Sequence, residues 1–462
     1  MKPYILLLAF TISINGQCFS QIYASSLDTV PAGWTGPVFR LHAAYPKKLS
    51  KEKNHPWLQY NFKTEPKQYM QAVLQYFLAG NTTNGFDVQH NTTRKWYHAP
   101  SMSWQPANRA YGREFIHGLT RERNSPAGEL YPTQTSMAQN WAVGFYNATG
   151  AYTFGKLWAD TNNLPTGSAI FPEHTVTAKL LFTAAKPEEV PYIKGSLEWQ
   201  ANINTALFGT VKRTPQTVRL LQVDIAVKDA RANAFTGWVF GTFAYHAHAK
   251  GNTVWKKLVP VGLMWGNDAN KFDGRRLKET WINPEYISLF SFPNGEQMHL
   301  GYKGRLNGPV DNPASSCLSC HATAQSPQFR PITPDTGKPL DLSAFFRNVP
   351  SGESFDGLPT SASMDYSLQL AGGIAAALAN RPGPGMSMRP GAAEVKKIEY
   401  FITSMEDSVN TQPHRPSAHR VTGRDNTVLH TSQPPLHHHA AWILGLCAVI
   451  PVLLVLGMSK KN

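Results

Sequence analysis

The chain has 462 residues, of which 42% are hydrophobic and 16% are charged, and this composition excludes a disordered protein. Its 35 glycines and 34 prolines exclude a coiled coil and argue against a helical bundle. We therefore expect a loop-rich or β-rich protein of two or three domains. The formal net charge of +14 favours acidic partners or anionic surfaces, but no dense basic run indicates a nucleic-acid groove, so no nucleic-acid partner is expected.

The first 24 residues are typical of a secretory signal peptide. Lys2 precedes an uncharged, apolar stretch over 4–14, and cleavage after Ser20 or Ala24 fits the need for small residues at the cut. Either cut removes Cys18 from the mature protein. A lipid anchor on Cys18 is the alternative, although the residue before that cysteine is a glutamine rather than a small residue. The protein is therefore expected to be exported.

The exported region 25–295 is predicted to be β-rich. One helix comes first, in which Thr64 is the expected cap, Pro66 lies near the start and Gly80 is the stop. Four strand patterns follow, separated by Gly, Asn and Asp turns, over 176–183, 221–227, 238–245 and 259–265. The alternation of apolar and polar residues over 221–228 predicts a half-buried strand. An antiparallel sandwich or barrel is expected for this region.

Two polar groups in the β-rich region have both a functional and a structural interpretation. A dense charged stretch, whose arginines could hold an acidic group or form surface salt bridges, contains Arg113, Glu114, His117, Arg121, Glu122 and Arg123. His246 and His248 lie two apart at the end of a strand pattern and therefore share a face. They could contribute to a metal site or could mark an exposed strand end.

The chemical centre of the sequence is Cys-Leu-Ser-Cys-His at 317–321. Two thiols three positions apart lie on one side of a helical turn, where they can form thioethers with the two vinyl groups of a haem. His321 follows directly and can give the iron its proximal nitrogen. Because Cys18 belongs to the signal peptide and Cys447 to an apolar segment near the C-terminus, Cys317 and Cys320 are the two cysteines of the exported region.

Two other interpretations of this cysteine pair are open. A thioredoxin-like redox pair needs a βαβ context, which the surrounding Asn-Pro-Ala-Ser-Ser loop does not suggest. Half of a zinc site needs a second pair of Cys or His ligands, for which His299 is the nearest candidate in sequence.

The motif resembles the attachment site of the single-haem c-type cytochromes, over about 301–405. The whole chain is similar to bacterial cytochrome c family proteins with a long N-terminal region. The resemblance implies one covalent haem c, a sixth iron ligand from a methionine in a later loop and a final helix near the first. Met386 and Met388 lie in such a loop before a predicted helix over 392–405, and Met364 before a predicted helix over 365–380 is the alternative. A small, mostly α-helical haem domain is therefore expected over 296–405.

The C-terminal residues are predicted to attach the protein to a membrane. A flexible tether rich in His and Pro is expected over 406–439, and the nineteen uncharged residues 440–458 predict a transmembrane helix. Lys460 and Lys461 place the tail 459–462 in the cytoplasm. A buried core helix is the alternative. The expected location is the bacterial inner membrane, single pass, with the bulk of the chain in the periplasm.

Together these patterns predict an α+β multi-domain fold: a β-rich antiparallel sandwich or barrel, a mostly α-helical cytochrome c-like domain and one C-terminal transmembrane helix. The expected function is single-electron transfer with redox partner proteins, which are expected to be membrane-bound. One alternative is a haem-dependent oxidoreductase or peroxidase whose β-rich region binds the substrate. Another is a haem-based gas sensor or binding module. The pattern favours an electron carrier over an enzyme and assigns no catalytic residue.

Overall fold

An eight-stranded antiparallel sheet runs through the part of the chain that the computed structural model describes. The described residues are 30–36, 38–39, 44–99, 114, 116–159, 167–204, 213–270, 276–292, 299–327 and 344–379. All of them belong to one compact unit, Met1–Ala418, and a second unit, His419–Asn462, lies entirely outside them.

The sheet is built from strands of very different length. These are β1 (Thr120–Arg121), β2 (Asn140–Tyr146), β3 (Val176–Thr183), β4 (Glu198–Asn204), β5 (Arg213–Lys228), β6 (Trp238–Tyr245), β7 (Leu258–Met264) and β8 (Thr280–Ile282). The hydrogen-bonded order is β1-β2-β3-β5-β6-β7-β8, and β4 pairs with the first half of β5. A separate pair joins β9 (Gln325–Ser326) to β10 (Ala362–Ser363).

The helices are short and are distributed along the chain. They are α1 (Pro66–Leu78), α2 (Ala148–Leu157), α3 (Pro284–Leu289), α4 (Cys317–His321) and α5 (Leu368–Ala379). Short 3-10 turns lie at Pro56–Gln59, Pro191–Ile193, Ala230–Ala232, Trp255–Lys257 and Tyr302–Gly304. In the described part of the chain, none of the helices has the length and apolarity needed to cross a bilayer.

Helix α1 covers one face of the sheet. Pro66 is tolerated at the first turn because its missing N–H has no partner within the helix there, and Gly80 follows the end with a φ of 79°. The expected cap is wrong: Glu65 is the N-cap, and its side chain makes no capping hydrogen bond. Met70 approaches the sheet closely at Gly241, where a Cβ would lie 3.1 Å from the Met70 methyl carbon.

The segment that carries the Cys-Leu-Ser-Cys-His motif covers the opposite face. Leu306, Leu318 and Leu370 are fully buried in the same hydrophobic cluster as Ala244 and Val261 of strands β6 and β7. Because both faces of the sheet are covered, the central strands are apolar on both sides, and β2, β6 and β7 are buried along their whole length. The half-buried strand expected around 221–228 is likewise covered on both faces, with Asp224 as its partly exposed residue.

The predicted fold class is wrong in its architecture. The described chain forms one large open antiparallel sheet and a separate two-stranded pair, rather than a sandwich or barrel followed by a helical domain. In the described residues after 299, α4 has five residues and α5 has twelve, and both pack on the chain around the sheet instead of forming a separate haem domain. The family resemblance supplied the expectation of a separate, mostly α-helical domain, whereas Leu318 and Leu370 are instead buried in the hydrophobic cluster on the sheet.

Several predicted segments lie outside the described residues. These are the signal peptide at 1–24, the helix over 392–405, the tether at 406–439, the transmembrane helix at 440–458 and the tail at 459–462.

We predict that Gly262→Ala destabilises the protein by about 1–3 kcal/mol. A Cβ at Gly262 would lie 2.4 Å from the Trp281 carbonyl oxygen of the neighbouring strand β8, which cannot move without disturbing the pairing. Urea unfolding followed by tryptophan fluorescence measures the change. The control is Gly167→Ala, where no heavy atom of the described residues lies within 4 Å of the new Cβ, so it should be nearly neutral. Equal unfolding midpoints for the two variants would contradict this packing.

Candidate functional site

The motif helix α4 begins with a reciprocal cap. The Ser319 backbone N–H donates to Ser316 Oγ (3.1 Å), and the Ser316 N–H donates to Ser319 Oγ (2.8 Å). Ser316 Oγ also donates to Asn267 Oδ1 (2.9 Å), which ties the start of the helix to the residues that follow β7. These bonds fix one helical turn that would be too short to persist alone.

This turn separates the reactive side chains from the anchoring ones. Leu318 and Ser319 are buried beneath the helix, whereas Cys317, Cys320 and His321 are each partly exposed. The structure therefore brings together the three residues that the sequence predicted as a site, on the accessible side of a single turn.

The His321 imidazole is held by a backbone carbonyl and by an aromatic ring. Its Nδ1 lies 2.8 Å from the Tyr366 carbonyl oxygen. The centroid of the Phe240 ring lies 4.7 Å from the centroid of the imidazole ring. Burial lowers the pKa of His321 to about 4, so the ring is neutral at neutral pH. Because a carbonyl can only accept, Nδ1 carries the proton, and Nε2 has no hydrogen-bond partner among the described residues. A neutral imidazole with a free Nε2 is suited to bind a metal.

The two thiols are neutral rather than reactive. Burial raises the pKa of Cys320 to about 12 and that of Cys317 well above its usual value, and Asp311 raises both further. Cys317 Sγ lies 3.9 Å from Thr242 Oγ1 and 3.9 Å from Asn307 Oδ1. A thioredoxin-like pair needs a lowered thiol pKa, so these surroundings do not favour that interpretation.

The zinc interpretation also lacks support in the structure. Within the described ranges, no three His, Cys, Asp or Glu side chains are placed to hold a metal ion. His299, the predicted nearest ligand, is fully buried between the rings of Tyr192 and Phe292, with centroid distances of 6.5 and 6.2 Å. The residues that are present instead fit a haem, because the two accessible thiols and one free imidazole nitrogen are what covalent attachment and axial ligation require.

A charged cluster lies beside the motif and was not predicted from the sequence. Lys179, Asp224 and Thr242 occupy one row across β3, β5 and β6. Asp224 accepts from Thr242 Oγ1 (2.9 Å) and lies 3.3 Å from Lys179 Nζ. Glu122 and Asp311 complete this Lys179 cluster through their charge interactions with the lysine. The hydrogen-bond distance between Thr242 and Cys317 shows that the row borders the thiols.

Two carboxyl groups of the Lys179 cluster, those of Glu122 and Asp311, have raised pKa values. Burial raises the pKa of Glu122, and burial together with Asp224 raises that of Asp311. Burial alone would lower the pKa of Lys179, but Glu122, Asp224 and Asp311 outweigh it and raise that pKa. The site therefore offers groups that can exchange protons next to the motif.

The predicted sixth ligands are not placed by the described residues. Met386 and Met388 lie outside them, so either remains a prediction. The alternative, Met364, is 1% exposed in the hydrophobic cluster, and its N–H donates to the Ala324 carbonyl (2.9 Å).

Within the charged stretch, Glu114 and His117 are internal, whereas Arg121, Glu122 and Arg123 are partly exposed. Arg113 lies outside the described residues, while Glu114 and His117 are fully buried and 3.3 Å apart. Arg123 binds both carboxylate oxygens of Glu129 at 2.5 and 2.8 Å, and it also donates to the Val310 carbonyl (3.1 Å). This arginine therefore supports the loop that carries Asp311, which is a structural task.

His246 is part of the core and not an exposed strand end. It lies between the rings of Tyr192 and Phe290, at centroid distances of 5.9 and 4.7 Å. His248 is exposed, and no third ligand joins the two histidines in the described part of the chain. Burial, with a smaller effect of His248, lowers the pKa of His246 to about 4.

We predict that the haem-free protein loses stability as the pH falls from about 6.5 to about 4, in part through His246. The unfolded chain binds a proton at the ordinary histidine pKa, whereas the folded chain resists it until about pH 4. His246→Asn should lessen this slope by at most about 1.4 kcal/mol per pH unit. Urea unfolding at several pH values measures it. Asn252→Ala, at an exposed residue that does not titrate, should keep the wild-type slope, and identical slopes for all three proteins would refute the assignment.

Comparisons of the chain with protein-family models, with curated proteins and with solved structures each give no match. A functional conclusion therefore depends on the chemistry of α4 and its surroundings.

Proposed function

We propose that the protein carries one haem c, bound through Cys317 and Cys320 with His321 as an axial iron ligand, and that it transfers single electrons. The observation that supports this most directly is the state of His321. Its Nδ1 lies against the Tyr366 carbonyl and its Nε2 is free, while two neutral thiols lie on the same accessible side of one turn. When bound, haem supplies an iron that gains or loses one electron at a time.

Each residue of the motif has a separate task in this proposal. Cys317 and Cys320 would hold the haem through thioether bonds, each formed by addition of the thiol S–H across one vinyl group, with the sulfur on one vinyl carbon and the hydrogen on the other. His321 donates its Nε2 lone pair, and the Tyr366 carbonyl retains the proton at Nδ1. Leu318, buried beneath the turn, keeps these groups at a fixed position relative to the sheet.

The proposed location is the periplasm. Support comes from the predicted signal peptide at 1–24 and from the absence of a sequence pattern for cytosolic cysteine chemistry around the motif. The net charge of +14 favours a redox partner protein with an acidic docking surface, and electron exchange with it should slow as salt is added.

A haem-dependent oxidoreductase or peroxidase is the second candidate, and the Lys179 cluster is the observation that favours it. Asp311 lies near the thiols and Glu122 joins it around Lys179, and both have raised pKa values, so that a proton donor or acceptor could assist a reaction of a small substrate there. Pure electron transfer needs no such groups.

We predict that production together with a haem-attachment system yields a coloured protein whose haem survives denaturation. Cys317→Ala and Cys320→Ala should each leave one unsaturated vinyl group, which shifts the alkaline pyridine haemochrome band to longer wavelength, because a vinyl group extends the conjugation of the ring. The double variant should lose covalent haem. Cys447→Ser is the control and should match the wild type. A wild-type protein with both motif sulfurs free to titrate would overturn the proposal.

The spectrum of the reduced protein should separate the candidate functions. Electron transfer predicts a low-spin, six-coordinate iron and no peroxide turnover. A five-coordinate, high-spin iron with peroxide turnover that falls about 10²-fold or more in Asp311→Asn would favour the oxidoreductase. High-spin iron that binds carbon monoxide without turnover would favour the gas-binding module.

A further inference from the structure

The carbonyl that holds His321 belongs to an unfavourable backbone turn. Asp365 and Tyr366 have φ angles of 45° and 67°, in the left-handed region that residues other than glycine seldom adopt. Two such residues in succession persist only where the surroundings hold them. The Tyr366 carbonyl therefore reaches His321 from a conformation that this stretch would not keep alone.

The turn is held through a buried carboxylate, that of Asp365, which accepts hydrogen bonds from four groups. Asp365 is fully buried and accepts from Lys228 Nζ (3.0 Å to each oxygen), Trp238 Nε1 (3.1 Å), Ser351 Oγ (2.8 Å) and the Phe171 N–H (2.8 Å). Lys228 also contacts Ser351 Oγ, and its side chain is 3% exposed.

The sheet provides the rigid base for these contacts. Lys228 is the last residue of β5 and pairs in register with Trp238, the first residue of β6. The turn is tied further by the Tyr366 hydroxyl, which donates to the Val349 carbonyl (2.6 Å), and by Ser367 Oγ, which lies 2.7 Å from the Tyr146 hydroxyl. The position of the Tyr366 carbonyl is thus set by the adjoining ends of the central strands β5 and β6.

Stability alone gives no reason for a charged pair at this place. Replacing a buried ion pair by apolar residues of similar volume is often neutral or stabilising, because both charges lose their hydration on burial. Apolar residues could not, however, hold a backbone turn in the left-handed region by directed hydrogen bonds. What the pair provides is therefore a fixed position for the chain around Asp365.

We propose that Lys228 and Asp365 are positioning residues that keep the His321 proton on Nδ1 and so direct Nε2 to the haem iron. The role toward iron rests on the proposed function, whereas the position of the proton does not. If the turn relaxes, the Tyr366 carbonyl withdraws, Nδ1 loses its acceptor and the imidazole becomes a mixture of both tautomers. The ligand then donates less electron density to the iron, and the oxidised state loses stabilisation relative to the reduced state.

The first experiment uses the full, haem-free chain with ¹⁵N-labelled histidine. The wild type should show His321 as a single Nδ1–H form, assigned with His321→Gln. Lys228→Met with Asp365→Leu removes both charges at once and should convert that signal into a mixture. The matched control, Arg94→Met with Glu52→Leu, removes a partly buried pair beside helix α1, on the other face of the sheet, and should leave the His321 signal unchanged.

The second readout is the midpoint potential of the haem-loaded chain. It should rise in the Lys228/Asp365 double variant and stay at the wild-type value in the control, which a purely structural role would not produce. A folded double variant that keeps the Nδ1–H signal and the wild-type potential would overturn the inference. A colourless wild type with His321 in the Nδ1–H form would contradict the haem proposal but would agree with the inferred position of the proton.

Smaller changes cover the case in which the double variant does not fold. Ser351→Ala and Trp238→Phe each remove one donor to Asp365, and each should shift the His321 signal part of the way toward the mixture. An unchanged signal in both would equally contradict the inference.

Discussion

The hydrogen bond between His321 Nδ1 and the Tyr366 carbonyl is the interaction on which the site depends. It joins residues 45 positions apart in the chain, and it determines which imidazole nitrogen carries the proton. Without it, the histidine beside the two thiols would have neither a fixed orientation nor a defined free nitrogen. The sheet, the turn at Asp365 and the cap of α4 all act by keeping the two partners of this bond in place.

A β-sheet, rather than a bundle of helices, supports the turn that carries the motif. A c-type haem is expected on a small helical domain, but here a single helical turn is supported by a β-sheet whose inner face provides Phe240 and Thr242 beside it. Rigidity therefore comes from paired strands rather than from helix packing. The same face brings Lys179 and Asp224 close to the thiols, and the raised pKa values of Glu122 and Asp311 around Lys179 give the site proton-exchanging groups that electron transfer alone does not require.

Local sequence patterns predicted the bounds of single strands and helices, whereas the contacts that depend on long-range strand pairing could not be predicted. The bounds of β3 and β6 agree with the sequence because each is an apolar run between turn residues, and α5 begins within three residues of its expected start. The motif residues 317–321 could be proposed as a site because their spacing lies within five positions, and the helical turn over them places the three reactive side chains on one side. The Lys179 cluster was missed because Lys179 and Asp224 meet only through strand pairing, and the polar residues of β5 indicated a solvent face that the chain after 299 in fact covers. The Tyr366 carbonyl oxygen is a backbone atom, so no pattern of side chains could predict its hydrogen bond with His321.

The intact mass of the mature protein after denaturation, with alkylation of any free thiol, tests covalent haem attachment. We expect a mass increased by one haem, with Cys317 and Cys320 both protected from alkylation. A chain of unmodified mass in which both of these cysteines are alkylated, produced in cells that attach haem to a known c-type cytochrome, would contradict it.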